Sequence, residues 1–239
     1  MVKICDTLYP AENETVYSEY FEKYPYTLSS FQKWAIEAII SGNHVLVTAH
    51  TGSGKTMPAE FALEHFTASK KKVIYTSPIK ALSNQKYYEF SQKFPHISFG
   101  ILTGDIKTNP EADVLIMTTE ILMNTLYFKT KEGTKDSSNN ALMFDMDFHT
   151  ELACVIFDEV HYINDAHRGH VWEETIMMLP QHIQMVMLSA TLDSPEKFAG
   201  WCETRGYNGT EKINDDEKLK SVYLATTYER VVPLTHYSF

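Results

Sequence analysis

Residues 43–60 read NHVLVTAHTGSGKTMPAE. The apolar run 45–49 has the look of a short buried strand; a turn with two glycines follows, then Lys55 and Thr56, then a helical pattern beginning near Thr56. Strand, turn and helix in that order is the setting of a phosphate-binding loop. Gly52 and Gly54 carry no Cβ, so the backbone can bend tightly and bring its N–H groups against an anion. The helix aims its N-terminus, with free N–H groups and a partial positive charge, at the same place. The nucleotide-binding candidates are therefore Ala49, His50, Thr51, Gly52, Ser53, Gly54, Lys55 and Thr56. Lys55 is expected to reach the β- and γ-phosphates, and the Thr56 hydroxyl to ligate Mg2+. The usual spelling, G-x-x-x-x-G-K-[ST], has glycine where this chain has Ala49, so the loop needs a second signal.

Bulk properties narrow the field. The chain has 239 residues, 44% of them apolar, enough for a sizeable core in one large α/β domain or two small ones. No run approaches the roughly 18 apolar residues of a membrane span, and the N-terminus MVKICDTLYPAENE is not a signal peptide. An intracellular protein, cytoplasmic or nuclear and with no membrane partner, is expected. Cys5, Cys154 and Cys202 are widely spaced and odd in number, which points to reduced thiols. Net charge is 21 − 31 = −10, which argues against a broad salt-driven polyanion patch. A narrow groove that grips a sugar-phosphate backbone through main-chain N–H groups stays open.

Outward from the loop, strands alternate with helices. Residues 1–28 are an aromatic-rich arm. Ser29 or Ser30 can cap a helix over 31–40, which Gly42 stops. Further strands are expected at 73–76, 97–102, 114–117, 153–157, 185–188, 221–226 and 231–237. Ser77 as cap with Pro78 in the first turn predicts a helix over 78–94. Thr119 is expected to cap a helix over 120–128; further helices span 171–179 and start at Ser194-Pro195-Glu196. Residues 129–150 break the rhythm and read as an insert, its polar first half a loop; 208–219 is charged and loop-like. The pattern predicts an α/β three-layer sandwich, a mostly parallel central sheet with helices on both faces. Ligands of such sheets sit at the carboxyl ends of the strands, where every motif here falls.

The second signal is ACVIFDEVHY, residues 153–162, with two carboxylates directly after an apolar strand. Nucleotide hydrolysis needs one carboxylate to hold Mg2+ and one group to act on the attacking water. Asp158 is the candidate for the first task and Glu159 for the second, which with Lys55 makes the catalytic set. Exposed acids capping the next helix are the plainer alternative.

These residues, with others, resemble the first RecA-like domain of superfamily-two helicases with a DExH box. Asp158-Glu159-Val160-His161 fits the box, and TSPIKALSNQK (76–86) is similar to the nucleic-acid-gripping motif of the superkiller-type (antiviral) RNA helicases. LTGD (102–105), NPEADVLIMTTEIL (109–122), DAHRGHVWEETI (165–176) and LSAT (188–191) extend the likeness. YPYTLSSFQ (24–32) resembles the adenine-recognition segment. AHTGSGKT departs from the AHTSAGKT of the superkiller group and is closer to the wider superfamily.

The resemblance implies ATP and Mg2+ as cofactors, with adenine met by a Gln32 amide and a stacking Tyr26. The alternatives are a polar residue on the exposed side of the helix for Gln32 and a core aromatic for Tyr26. Ser77, Pro78, Lys80, Thr103, Gly104, Asp105, Thr118, Thr119 and Glu120 would contact single-stranded RNA along its backbone, independent of sequence. Ser77 and Thr119 can also serve as plain helix caps. His161, Ser189, Ala190 and Thr191 would couple the nucleotide site to domain movement. Implied partners are RNA, a second RecA-like domain and an RNA-degrading exosome-type complex. Unwinding would run 3′ to 5′. The second domain, with the arginines that stabilise the transferred phosphoryl group, is expected to be absent from residues 29–239. The fragment alone should therefore bind nucleotide weakly and turn it over slowly. A DNA helicase or translocase, and a nucleotide-dependent RNA-binding scaffold without turnover, are the competing readings.

Overall fold

The computed structural model describes residues 1–131, 144, 146–190, 192–205 and 219–228. Along the chain the strands are β1 (Lys3–Cys5), β2 (His44–Ala49), β3 (Lys72–Ser77), β4 (Phe99–Leu102), β5 (Lys107–Thr108), β6 (Val114–Thr118), β7 (Leu152–Phe157), β8 (Gln184–Ser189) and β9 (Val222–Thr227). The helices are α1 (Ala11–Val16), α2 (Ser18–Phe21), α3 (Ser30–Ile40), α4 (Met57–Ala68), α5 (Lys80–Lys93), α6 (Thr119–Lys131), α7 (Gly169–Met178) and α8 (Pro195–Thr204), with a 3₁₀ turn at Val160–Asn164. Among the described residues the strands form one sheet in the order β1-β9-β2-β8-β7-β3-β6-β4-β5. Every pairing is parallel except β4 with β5.

Period-two alternation sorts the strand side chains into two cores. Val45, Val47, Val73, Tyr75, Cys154 and Ile156 pack with α3, α4, α5 and the arm on one face. Leu46, Ile74, Val155, Phe157, Met185 and Met187 pack with α6, α7 and α8 on the other. The expected three-layer sandwich is thus present, and β2 is buried at every position. Gly42 ends α3 with φ of +74°, a conformation that suits glycine.

Several local expectations are corrected. Helix α5 begins at Lys80 with Ile79 at its N-cap, so Pro78 is not in its first turn and Ser77 does not cap it. Ser77 is instead the last residue of β3, and its hydroxyl lies 2.6 Å from that of Ser83. Thr119 is the first residue of α6, not a cap before it, and its hydroxyl donates to the Ser77 carbonyl at 3.5 Å. Ser194 stands at the N-cap of α8 in a left-handed conformation and makes no side-chain cap bond. The arm is more than an appendage: β1 extends the sheet beside β9. Within the segment 129–150 expected as an insert, α6 runs to Lys131, and Phe144, Met146 and Phe148 are buried in the second core. The expected strand 231–237 and nearly all of 208–219 lie outside the described residues. No helix among the described residues is long and apolar enough to cross a membrane.

Candidate functional site

The turn after β2 has the geometry its glycines suggest. Gly52 and Gly54 sit at φ of +83° and +84°, and the loop is braced from inside. The His50 carbonyl accepts from the Ser53 N–H at 3.2 Å and from the Ser53 hydroxyl at 2.7 Å. Gln32 is buried in α3, not on its exposed side. Its Oε1 accepts from the Ser29 N–H at 2.9 Å, and its Nε2 donates to the Gly54 carbonyl at 3.2 Å. The amide thus ties the start of α3 to the loop. Tyr26 is 52% exposed, so it is not a core aromatic; its ring lies 5.7 Å from that of Tyr24. Thr51 is exposed, Thr56 is half-buried immediately before α4, and Ala49 is buried at the end of β2.

The two acids lie on the same strand-end edge, with β8 between their strand and β2. Lys55 Nζ donates to both oxygens of Glu159, at 2.8 and 2.9 Å. Glu159 holds φ of +50°, uncommon for a residue with a side chain and of the kind of local strain that concentrates at functional sites. Asp158 is buried. Its Oδ2 accepts from the Tyr75 hydroxyl at 2.6 Å and its Oδ1 from the Glu159 N–H at 3.0 Å. Burial raises the Asp158 pKa from its ordinary value; the Tyr75 hydrogen bond opposes the shift, and the Glu159 charge adds to it. Burial, then the Asp158 charge, pushes the Tyr75 phenol well above its ordinary value.

His161 Nδ1 lies 3.3 Å from Glu159 Oε2 without an aligned hydrogen bond. Ser189 is buried at the end of β8, opposite Thr48 of β2, and Ala190 follows half-buried. Thr191 lies outside the described residues. Together the site offers two left-handed glycines, the first turn of a helix, a lysine, a hydroxyl and a buried carboxylate. That donor set fits a polyphosphate with its Mg2+.

A groove of about 500 Å3 opens beside this edge. Pro78, Lys80, Gly104, Thr118 and Glu120 line it, and Asp105 pairs with Lys80 at 2.6 Å. Four of the expected nucleic-acid residues are buried; Thr118 still borders the groove, and the other three do not line it. Ser77, Thr103 and Thr119 are buried, the first and last with hydroxyls bonded inside the protein. Thr103 exchanges main-chain hydrogen bonds with Ile106. Arg168, inside the quoted motif 165–176 but given no contact role there, also lines the groove. Its Nη2 donates to the Pro78 carbonyl at 2.6 Å and to Glu120, and its guanidinium lies 5.8 Å over the Trp172 ring. The approach of the chain here is close: a Cβ on Gly169 would lie 2.2 Å from the Ile163 carbonyl oxygen.

Comparison with known proteins adds independent findings. The family described as DEAD/DEAH box helicase matches residues 29–198. The antiviral helicase SKI2 of Saccharomyces cerevisiae is 44% identical over 211 residues, covering 88% of this chain and 14% of that protein. The exosome RNA helicase MTR4 of Homo sapiens is 42% identical over 218 residues, covering 91% of this chain and 18% of that protein. This chain thus spans less than a fifth of the length of either relative. Among solved structures, the DUF1998 helicase MrfA bound to DNA aligns with 94% of this chain and 31% of its own, at a TM-score of 0.62 and 16% identity. That likeness speaks for the fold alone.

Proposed function

Because this chain belongs to the DEAD/DEAH box helicase family, we propose that it is the ATP-binding motor domain of an ATP-dependent DExH-box RNA helicase. The observation that carries the proposal is the Lys55–Glu159 ion pair, which joins the phosphate loop to the acidic box across one sheet edge.

In this reading the amides of residues 52–56 and the Lys55 ammonium hold the phosphates, and Gln32 and Tyr26 meet the adenine. Thr56 and Asp158 would hold Mg2+, which when bound would supply positive charge against the phosphate tail. Glu159 orients the attacking water and accepts its proton. Lys80, Gly104, Thr118 and the first turn of α5 grip a single-stranded RNA backbone without reading bases. His161 and the triplet at the end of β8 relay closure with a second RecA-like domain, which supplies transition-state arginines. In the whole protein, hydrolysis would then drive 3′ to 5′ movement along RNA and duplex unwinding, in partnership with an exosome-type complex.

The primary test is Lys55→Ala with calorimetric titration of ATP and Mg2+. Loss of binding is expected; unchanged affinity would remove Lys55 from the phosphate site. RNA over DNA is tested with matched single strands, where a 2′-hydroxyl preference is expected and equal or stronger DNA binding would overturn that assignment.

A further inference from the structure

Tyr75 stands in the middle of β3, opposite Ile156 of β7. Side chains two apart on a strand share a face, so Ile156 and Asp158 project on the same side as Tyr75. The tyrosine is 0% exposed, with its ring edge-on to Phe90 at 5.3 Å. A phenylalanine would fill that space equally well without a hydroxyl to desolvate, and a buried hydroxyl is costly unless it is bonded. The hydroxyl's hydrogen bond goes to Asp158 Oδ2, and its 2.6 Å length falls in the charge-assisted range. The other oxygen, Oδ1, takes the Glu159 N–H at 3.0 Å. One donor at each oxygen fixes both side-chain torsions of Asp158, so the carboxylate cannot swing.

We propose that Tyr75 is a positioning residue for Asp158, holding the carboxylate in the one orientation that serves Mg2+ at the nucleotide. This rests on the function proposed above. Tyr75 touches neither nucleotide nor metal; it acts through Asp158. Partners behind a metal-holding group commonly change metal affinity by roughly 10- to 100-fold when removed. Phosphate binding by the loop and Lys55 does not pass through Tyr75.

The experiment uses Tyr75→Phe, with Mn2+ as the metal probe and ADP as the nucleotide. Electron paramagnetic resonance of free and bound Mn2+ gives the metal affinity of the ADP complex, and calorimetry in EDTA gives the ADP affinity without metal. The expected result is about tenfold weaker Mn2+ binding, with metal-free ADP affinity within about twofold of the parent, which also reports an intact fold. Asp158→Asn completes a double-mutant cycle. In that background Tyr75→Phe should change Mn2+ affinity by less than about twofold, since the group it acts through is altered. Unchanged Mn2+ affinity in Tyr75→Phe, or an equal loss with and without Asp158, overturns the proposal. If Mn2+ binds the parent–ADP complex and Asp158→Asn weakens it, the reading of the site stands whatever Tyr75 does. If Asp158→Asn changes nothing, the metal role of Asp158 falls and takes the proposal with it.

Discussion

Replacing Glu159 with Gln should tighten nucleotide binding while stopping turnover. Lys55 Nζ is bonded to both Glu159 oxygens at 2.8 and 2.9 Å, with the side chains 11% and 26% exposed. Any phosphate drawn to Lys55 competes with that carboxylate. Fully exposed pairs contribute about 0–1 kcal/mol, whereas breaking a buried one costs about 3–5 kcal/mol. This partly screened pair belongs between them, at about 1–2 kcal/mol, which converts to roughly 5- to 30-fold in affinity. Glu159→Gln keeps the shape and removes the competing charge, so ADP should bind tighter by about that factor. Hydrolysis should fall by about 10²–10⁴, because an amide cannot accept the proton of the attacking water. Calorimetric ADP titration, with and without Mg2+, and steady-state hydrolysis in the presence of RNA measure the two effects. ADP affinity that is unchanged or weaker would show that releasing Lys55 costs nothing, and surviving turnover would remove Glu159 from the base role.

Gly54→Ala places a side chain at φ of +84° with its Cβ 2.7 Å from Gln32 Nε2, whereas Gly52→Ala meets open space at φ of +83°. Each should lose about 1 kcal/mol of stability to backbone strain, and the first, which also displaces the Gln32 amide, should lose about tenfold more ADP affinity than the second; equal ADP affinities would refute the Gln32 contact. Glu37 is buried and accepts from Lys3 at 2.9 Å, Tyr9 at 2.8 Å and Asn13 at 3.0 Å. Burial opposes its charge, but those donors outweigh it and the pKa is lowered. Its stability contribution is therefore fully present above the unfolded value of about 4.3 and lost as pH falls through the lower folded value. Urea melts of Glu37→Gln should show about 1–3 kcal/mol less stability at neutral pH and a shallower loss below about pH 4.3; parallel curves would count against the argument. Arg168→Ala, which unties Pro78 from Glu120 in the groove, should weaken RNA binding and reduce its salt slope by about 0.7–1, leaving ADP affinity unchanged; an unaltered slope would place Arg168 outside the backbone contacts.

What could be read before folding is what local chemistry states twice. The run 45–49 is apolar and glycines follow it, so strand and turn announce each other. Asp158 and Glu159 gain meaning from an apolar strand directly before them. Ser77 misled because the serine–proline signal assumes that the strand has ended; β3 continues through Ser77, and the nearby Ser83 hydroxyl satisfies it. β1 is three residues long and pairs with Val222–Thr227 near the other end of the chain, so no local pattern marks it. Arg168 and Tyr75 take their positions from which strands and loops become neighbours. Arg168 lies within the quoted run 165–176, but that run does not say which neighbour it meets, and a tyrosine in an apolar run carries no spacing that reveals its partner.

β2 has two strand neighbours, β8 and β9, drawn from Gln184–Ser189 and Val222–Thr227. A ribosome that has just made His44–Ala49 holds a strand that can pack on α3 but has neither of its strand neighbours. At about 5–20 residues per second, its second flank arrives on the order of 10 s later. Until then the strand that carries the glycine turn is flanked on one side at most, since β8 ends at Ser189 and β9 at Thr227. On the function proposed above, ATP capture is expected only once synthesis has passed Thr227, so nucleotide would follow the assembly of this sheet edge and not guide it.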